Sequence, residues 1–184
     1  LWNVSNGTFL REIPEAHSDV LFDLDFSPDG KLLATCGADR LMKVFRVEDG
    51  SLVRTFEGHT GQVLGVSWKG DGRLLATAGA DNSLKVWEAD TGSQKKTISG
   101  FKKEITSVRY VGIDDRLVFG TGEGKVESRN SNGDGRPGFA GDSDYVHSVR
   151  ASGDGNVIVG GDQNGTVRIW KADGTVVAEF PREQ

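Results

Sequence analysis

Four residues between positions 59 and 87 could do chemistry together: His59, Thr77, Asp81 and Trp87. A histidine paired with an aspartate and a hydroxyl can be catalytic. The same set can also be structural, because a buried imidazole and a buried indole N–H need partners, and a turn carboxylate supplies charge-assisted acceptors. The structural reading is preferred, with a catalytic His–Asp pair as the alternative. The pattern is not unique to this stretch. A period of 42 residues separates His17 from His59, Asp39 from Asp81 and Phe45 from Trp87. His17, Thr35 and Asp39 therefore stand at equivalent positions, while Phe45 replaces the tryptophan and cannot donate the hydrogen bond.

The elements that must position these residues follow from the same stretch. Val63, Val66 and Trp68 form a short apolar run, a Gly70–Gly72 turn follows, and Leu74 to Ala76 begin a second run that stops at Gly79. A turn at Ala80–Ser83 leads to a third run through Leu84, Val86 and Trp87, and Asp90-Thr91-Gly92 turns into a fourth around Gln94 to Ile98. Short apolar runs between tight turns read as strands. One four-stranded antiparallel sheet cannot bury both faces alone, so sheets repeating at this period must stack face to face.

The period and the spacing of His59, Thr77, Asp81 and Trp87 resemble the WD-repeat β-propeller family, over nearly the whole chain. The resemblance implies an all-β propeller in which the Asp accepts from the His and a Ser or Thr links the His to the indole. It also implies a rigid platform for protein interactions, with partners docked on the face made by the loops before the first strand and between the second and third.

Taken in order, residues 1–16 read as half a unit holding third and fourth strands only, so this hairpin must complete a sheet supplied elsewhere or stay a loose edge. Residues 17–58 and 59–100 are full units. Residues 101–141 keep the register but lose the polar network, with Phe101, Phe119, Glu123 and Arg129 at the four positions; residues 130–138 read as a long irregular loop in place of the usual turn into the last strand, and Pro137 fits only an edge. Residues 142–184 restore Trp170, with Asp142 and Asn164 at the His and Asp positions. The expectation is four four-stranded blades plus a leading half-blade. The sequence opens inside a unit, and the parent protein is expected to extend upstream.

The 184 residues suffice for one domain with a sizeable core, and the 26 glycines suit a chain with several turns per repeat. A net charge of −5 with dispersed Lys and Arg argues against a nucleic-acid or membrane surface. No apolar run approaches membrane-spanning length. The single cysteine, Cys36, lies in an apolar strand and reads as core. Gly133–Gly138 matches a dinucleotide-binding glycine pattern without the helix that pattern needs. The three histidines lack zinc-site spacing and no calcium loop is present, so neither metal nor cofactor is expected. Nothing assembles a nucleophile, a base and an oxyanion donor.

Repeat register maps Phe22, Leu64, Thr106, Tyr145 and His147 to the partner-facing rim, with Phe22, Leu64 and Tyr145 as the best anchors. The leading expectation is a non-enzymatic scaffold for a protein or peptide. Two alternatives stand beside it: a small-molecule or enzymatic site in the central channel, using Asp23, Asp25, Arg109, Arg150 or His147, and a purely structural arc of a larger protein. Family members usually close with seven or eight blades, so the expectation is either two chains pairing into an eight-bladed ring or a piece of a longer one.

Overall fold

A computed structural model describes residues 1–141 and 144–182. The chain is all β in its regular structure, with sixteen strands among the described residues. Blade 1 comprises β1 (Leu21–Phe26), β2 (Leu32–Gly37), β3 (Met42–Arg46) and β4 (Leu52–Phe56). Blade 2 comprises β5 (Val63–Trp68), β6 (Leu74–Gly79), β7 (Ser83–Glu88) and β8 (Gln94–Ile98). Blade 3 comprises β9 (Ile105–Tyr110), β10 (Leu117–Thr121), β11 (Val126–Arg129) and β12 (Gly135–Phe139), and blade 4 comprises β13 (Val146–Ala151), β14 (Val157–Asp162), β15 (Val167–Lys171) and β16 (Val176–Phe180). Each blade is one antiparallel sheet with its strands in sequence order. This is the architecture of a WD-repeat β-propeller.

The core lies between the blades. Among the described residues three apolar clusters form: one joins Met42, Val44 and Phe56 to Val66 and Leu75, one joins Leu84 and Val86 to Ile105 and Phe119, and one joins Val118 and Val126 to Val149 and Ile158. Four blades closed on themselves would need a fourth. The stack is therefore an arc, and its two ends are apolar and open. On β1, Leu24 and Phe26 are 47% and 46% exposed, whereas their blade 2 counterparts Val66 and Trp68 are 0% and 6% exposed. At the other end Val157, Val167, Val177 and Phe180 are exposed.

The leading hairpin is short: Trp2 bridges Phe9, their rings meet edge to face at 5.2 Å, and Gly7 turns with φ 68°. Its placement follows the repeat. The Arg11 guanidinium donates to the Glu48 carbonyl, just as Arg54 on β4 donates to the carbonyls of Asp90 and Thr91 in the next blade. The hairpin thus lies beside blade 1 as the two outer strands of a preceding blade would.

The loop expected over residues 130–138 is shorter than its composition suggests. The Asn130 side-chain oxygen accepts the backbone N–H groups of Asn132 and Asp134, which closes the turn by residue 134. Gly135–Phe139 then forms the outermost strand of blade 3, an edge where a proline is tolerated. Asp142 lies outside the described residues.

Candidate functional site

The innermost strands β1, β5, β9 and β13 share a register break at the same level. Leu21 pairs with Gly37 and Asp23 with Cys36, so Phe22 is an extra residue in the ladder. The same shift isolates Leu64, Thr106 and His147 in the other three blades. A bulge of this kind bends the strand and re-aims the extra side chain. Four of the five rim residues picked by repeat register are thus the bulge residues of the four inner strands.

The loops that lead into them are fastened by a recurring backbone bond. The N–H groups of Ala38, Ala80, Gly122 and Gln163 donate to the carbonyls of Val20, Gln62, Glu104 and Tyr145 at 2.8, 2.8, 3.0 and 2.8 Å. In every blade the loop before the first strand is thereby tied to the loop between the second and third. Phe22 is 43% exposed, His147 is exposed, and Leu64 and Tyr145 are half-buried. The Tyr145 and His147 rings lie 4.9 Å apart. Thr106 differs from the others: it is buried, and its hydroxyl donates to the Val146 carbonyl in the next blade. The Glu104 carboxylate, which repeat register did not single out, bonds the Tyr145 hydroxyl; burial first and then this charge push the Tyr145 pKa up.

Beneath the rim, the histidine networks hold the same loops from within. In blade 2 the His59 Nδ1–H donates to both oxygens of Asp81 at 3.0 and 2.9 Å, and the Trp87 indole donates to the Thr77 hydroxyl oxygen at 2.9 Å. The Thr77 hydroxyl donates in turn to His59 Nε2 at 2.7 Å. This chain of bonds requires a neutral imidazole, and burial holds the His59 pKa below its ordinary value. Asp81 also accepts from the Thr60 N–H and the Ser83 hydroxyl. Blade 1 repeats the arrangement with His17 bonded to Asp39 and Thr35; Phe45 has no donor to offer, and the Thr35 hydroxyl also bonds the Lys43 carbonyl at 3.4 Å.

Blade 3 fills the same positions by other means. Phe101 and Phe119 meet edge to face at 5.3 Å, and the Arg129 guanidinium lies 5.9 Å from the Phe101 ring centroid. Apolar packing and a cation–π contact thus stand where imidazole, hydroxyl and indole stand in blade 2. In blade 4 the Trp170 indole donates to the Ala140 carbonyl at 2.8 Å.

The channel residues are largely engaged with one another. Asp23 and Asp25 accept the inward N–H groups of Val66 and Trp68 on β5, and the Ser67 hydroxyl accepts the Tyr110 N–H on β9. Side chains of β1 thus cap the free edge of β5, and Ser67 on β5 does the same for β9. Arg109 pairs with Asp23 at 2.9 Å, and Arg150 approaches the same carboxylate at 3.9 Å. Burial raises the Asp25 pKa against the Trp68 hydrogen bond and the Arg109 charge. Among the described residues no group of three or more His, Cys, Asp or Glu could hold a metal ion.

Comparison with known proteins follows the repeats. The family model described as WD domain, G-beta repeat matches residues 7–46, 50–88 and 137–171. A stretch of 52 residues is 46% identical to Protein transport protein SEC13-1 of Candida glabrata, covering 27% of this chain and 17% of that protein. A stretch of 57 residues is 40% identical to Eukaryotic translation initiation factor 3 subunit I of Scheffersomyces stipitis, covering 31% and 16%. A third, of 55 residues, is 40% identical to 26S proteasome regulatory subunit RPN14 of Saccharomyces cerevisiae, covering 30% and 13%. The matched stretches thus span less than a fifth of these relatives.

Proposed function

Because the chain belongs to the WD domain, G-beta repeat family, we propose that it is a non-enzymatic scaffold that docks a protein or peptide on the rim of its inner strands. The observation that carries this is the alignment of the bulge residues Phe22, Leu64 and His147, with Tyr145 beside them, on strands whose leading loops are fastened by the same backbone bond in every blade. Strand ends held in this way present apolar and aromatic anchors with little ordering entropy left to lose, which favours affinity. Names such as initiation-factor subunit and proteasome regulatory subunit describe relatives that work in protein assemblies, in keeping with this reading. A channel ligand is less favoured, since Asp23 and Arg109 are engaged with each other.

The test is paired. Replacing Phe22 and Tyr145 together by Ala should leave the circular dichroism and melting temperature unchanged while the proteins retained by the wild-type chain in a quantitative pull-down are lost. Unchanged retention would move the docking face elsewhere.

The arc's two exposed apolar ends favour a second element of the reading: the ring is completed by further sheets, and a second copy of the chain, giving eight blades, is one source. Light scattering across a dilution series checks it. A stable mass of two chains supports pairing; a monomer assigns the missing sheets to a longer polypeptide or another protein. In a paired ring the leading hairpin would have to leave its place beside blade 1, because it lies where the outer strands of the neighbouring blade belong.

A further inference from the structure

Blade 3 departs from the repeat at two facing positions of the rim. Val20, Gln62, Glu104 and Tyr145 accept the same backbone bond from Ala38, Ala80, Gly122 and Gln163, so the residues within each set are equivalent. Blade 3 alone places an acid in the first set and a glycine in the second. The two choices belong together. A Cβ on Gly122 would stand 2.7 Å from one oxygen of the Glu104 carboxylate and 3.1 Å from the other, too close for that carboxylate to stay where it is. Gly122 has no positive φ, so its backbone does not demand glycine; the room it leaves is taken by Glu104.

The carboxylate held in this way lacks a cation. The Tyr145 hydroxyl is its one donor among the described residues, and that donor is neutral. Among the described residues no lysine or arginine nitrogen lies within 4.0 Å of it, and the nearby Lys102 turns instead to Glu123 at 4.0 Å with 85% of its side chain exposed. A carboxylate drawn partly out of water without a counter-charge is costly. Glu104 and Tyr145 are half-buried and His147 is exposed, so all three are open to a partner from solvent. The Tyr145 and His147 rings meet at 4.9 Å beside the acid. A negative charge and the faces of aromatic rings attract the same kind of group, a cation.

We propose that Glu104, Tyr145 and His147 form a binding site for a single arginine side chain on the docked polypeptide. The proposal rests on the rim reading and names what one sector of the rim takes. A guanidinium donates to carboxylate oxygens through its edge while its flat, weakly hydrated face lies on an aromatic ring. A lysine ammonium brings the charge without the plane, and an acidic side chain is repelled by Glu104.

The experiment follows the tyrosine ring resonances of the intact chain labelled with ¹³C-tyrosine. The chain has two tyrosines, and the Tyr145 signal is assigned by its loss in Tyr145→Phe, while the buried Tyr110 is the internal control. The probe is a capped tripeptide with a central arginine, set against the same peptide with citrulline, which keeps the shape and lacks the charge. Expected is a saturable shift of Tyr145 but not of Tyr110, weakened about tenfold with citrulline and in Glu104→Gln, the loss of one charge-assisted contact. Gly122→Ala keeps every charge, puts the residue of blades 1 and 2 at this position and displaces the carboxylate, so it should also weaken binding. The proposal is overturned if the citrulline peptide binds equally, if Glu104→Gln binds the arginine peptide as tightly as the wild type, or if a lysine peptide binds more tightly than the arginine one. The rim reading is judged separately, by whether the Phe22 and Tyr145 double variant releases the retained proteins. Release without an arginine-specific shift keeps the rim and removes the arginine.

Discussion

Arg109 on β9 forms an ion pair with Asp23 on β1 at 2.9 and 3.1 Å, although a whole blade separates their own. On its way the guanidinium also donates to the Val66 carbonyl on β5, and Asp23 accepts the Val66 N–H. One side-chain pair thus fastens three blades on the channel side. Both side chains are largely shielded, at 11% and 16% exposure, so removing one partner strands the other's charge. Asp23→Asn or Arg109→Gln alone is expected to cost about 2–4 kcal/mol in urea unfolding. The double variant should cost less than the sum, by about 1 kcal/mol or more. Strictly additive losses would show that the two do not act as a pair.

The histidine networks give a second prediction through the difference between blades 1 and 2. Trp87→Phe removes the indole donor and part of a buried ring packed on Phe56 but leaves His59 bonded to Thr77 and Asp81, so about 1–2 kcal/mol should be lost. Asp81→Ala strips acceptors from His59, Thr60 and Ser83 together and should cost more, about 2–4 kcal/mol. The ordering of the two losses is the check. Equal losses would mean that the carboxylate and the indole do not form one graded network.

These two networks also mark how much was legible in the sequence. The 42-residue period located the histidine sets, and repeat register found four rim positions that the backbone turns into bulges. Both are local in the chain, where alternation and turn residues speak directly. Contacts between blades were less readable. Asp23, Asp25, Arg109 and Arg150 could be assigned to the channel by repeat register, but the capping of the β5 edge by Asp23 and Asp25 depends on how the sheets stack. Gly135–Phe139 was hidden because a strand at a sheet edge needs neither alternation nor a full set of donors. The Phe101–Phe119–Arg129 stack was visible only as missing polar residues, since an altered position does not announce what packs in its place.

Cys36 supplies a probe of blade 1. It is wholly buried on β2, and burial, followed by the Asp23 charge, pushes its thiol pKa far up. Nucleophilic attack needs thiolate and access, and the folded chain offers little of either. Labelling by a thiol reagent should therefore be much slower than for a free cysteine and should accelerate when blade 1 is loosened by Asp23→Asn. Mass spectrometry of timed samples reads both rates. Rapid modification of the folded wild-type chain would place the thiol in a more open setting than β2.

The pH dependence of stability should resolve two separate losses on acidification. Burial, opposed by the Asp81 charge and hydrogen bond, holds the folded His59 pKa below the ordinary 6.5, so the imidazole is neutral where the unfolded chain already takes up a proton. The unfolded state then binds more protons, and stability falls as pH drops from about 6.5 toward the folded value, with a slope of at most about 1.4 kcal/mol per pH unit. Asp81 acts lower down. Burial alone would raise its pKa, but the bonds from Ser83, Thr60 and His59 outweigh this and hold it below 3.8. Its contribution is present above 3.8 and is lost as pH falls through the folded value, where Asp29, Asp49, Asp71 and Asp154 contribute in the same direction. Unfolding free energies of the wild type and His59→Gln from pH 8 to pH 3 separate the two. The variant should be less stable at neutral pH and flatter between pH 6.5 and 5, with its steep fall below pH 4 retained. A variant curve parallel to the wild type across the upper window would mean that His59 is not held neutral by the fold.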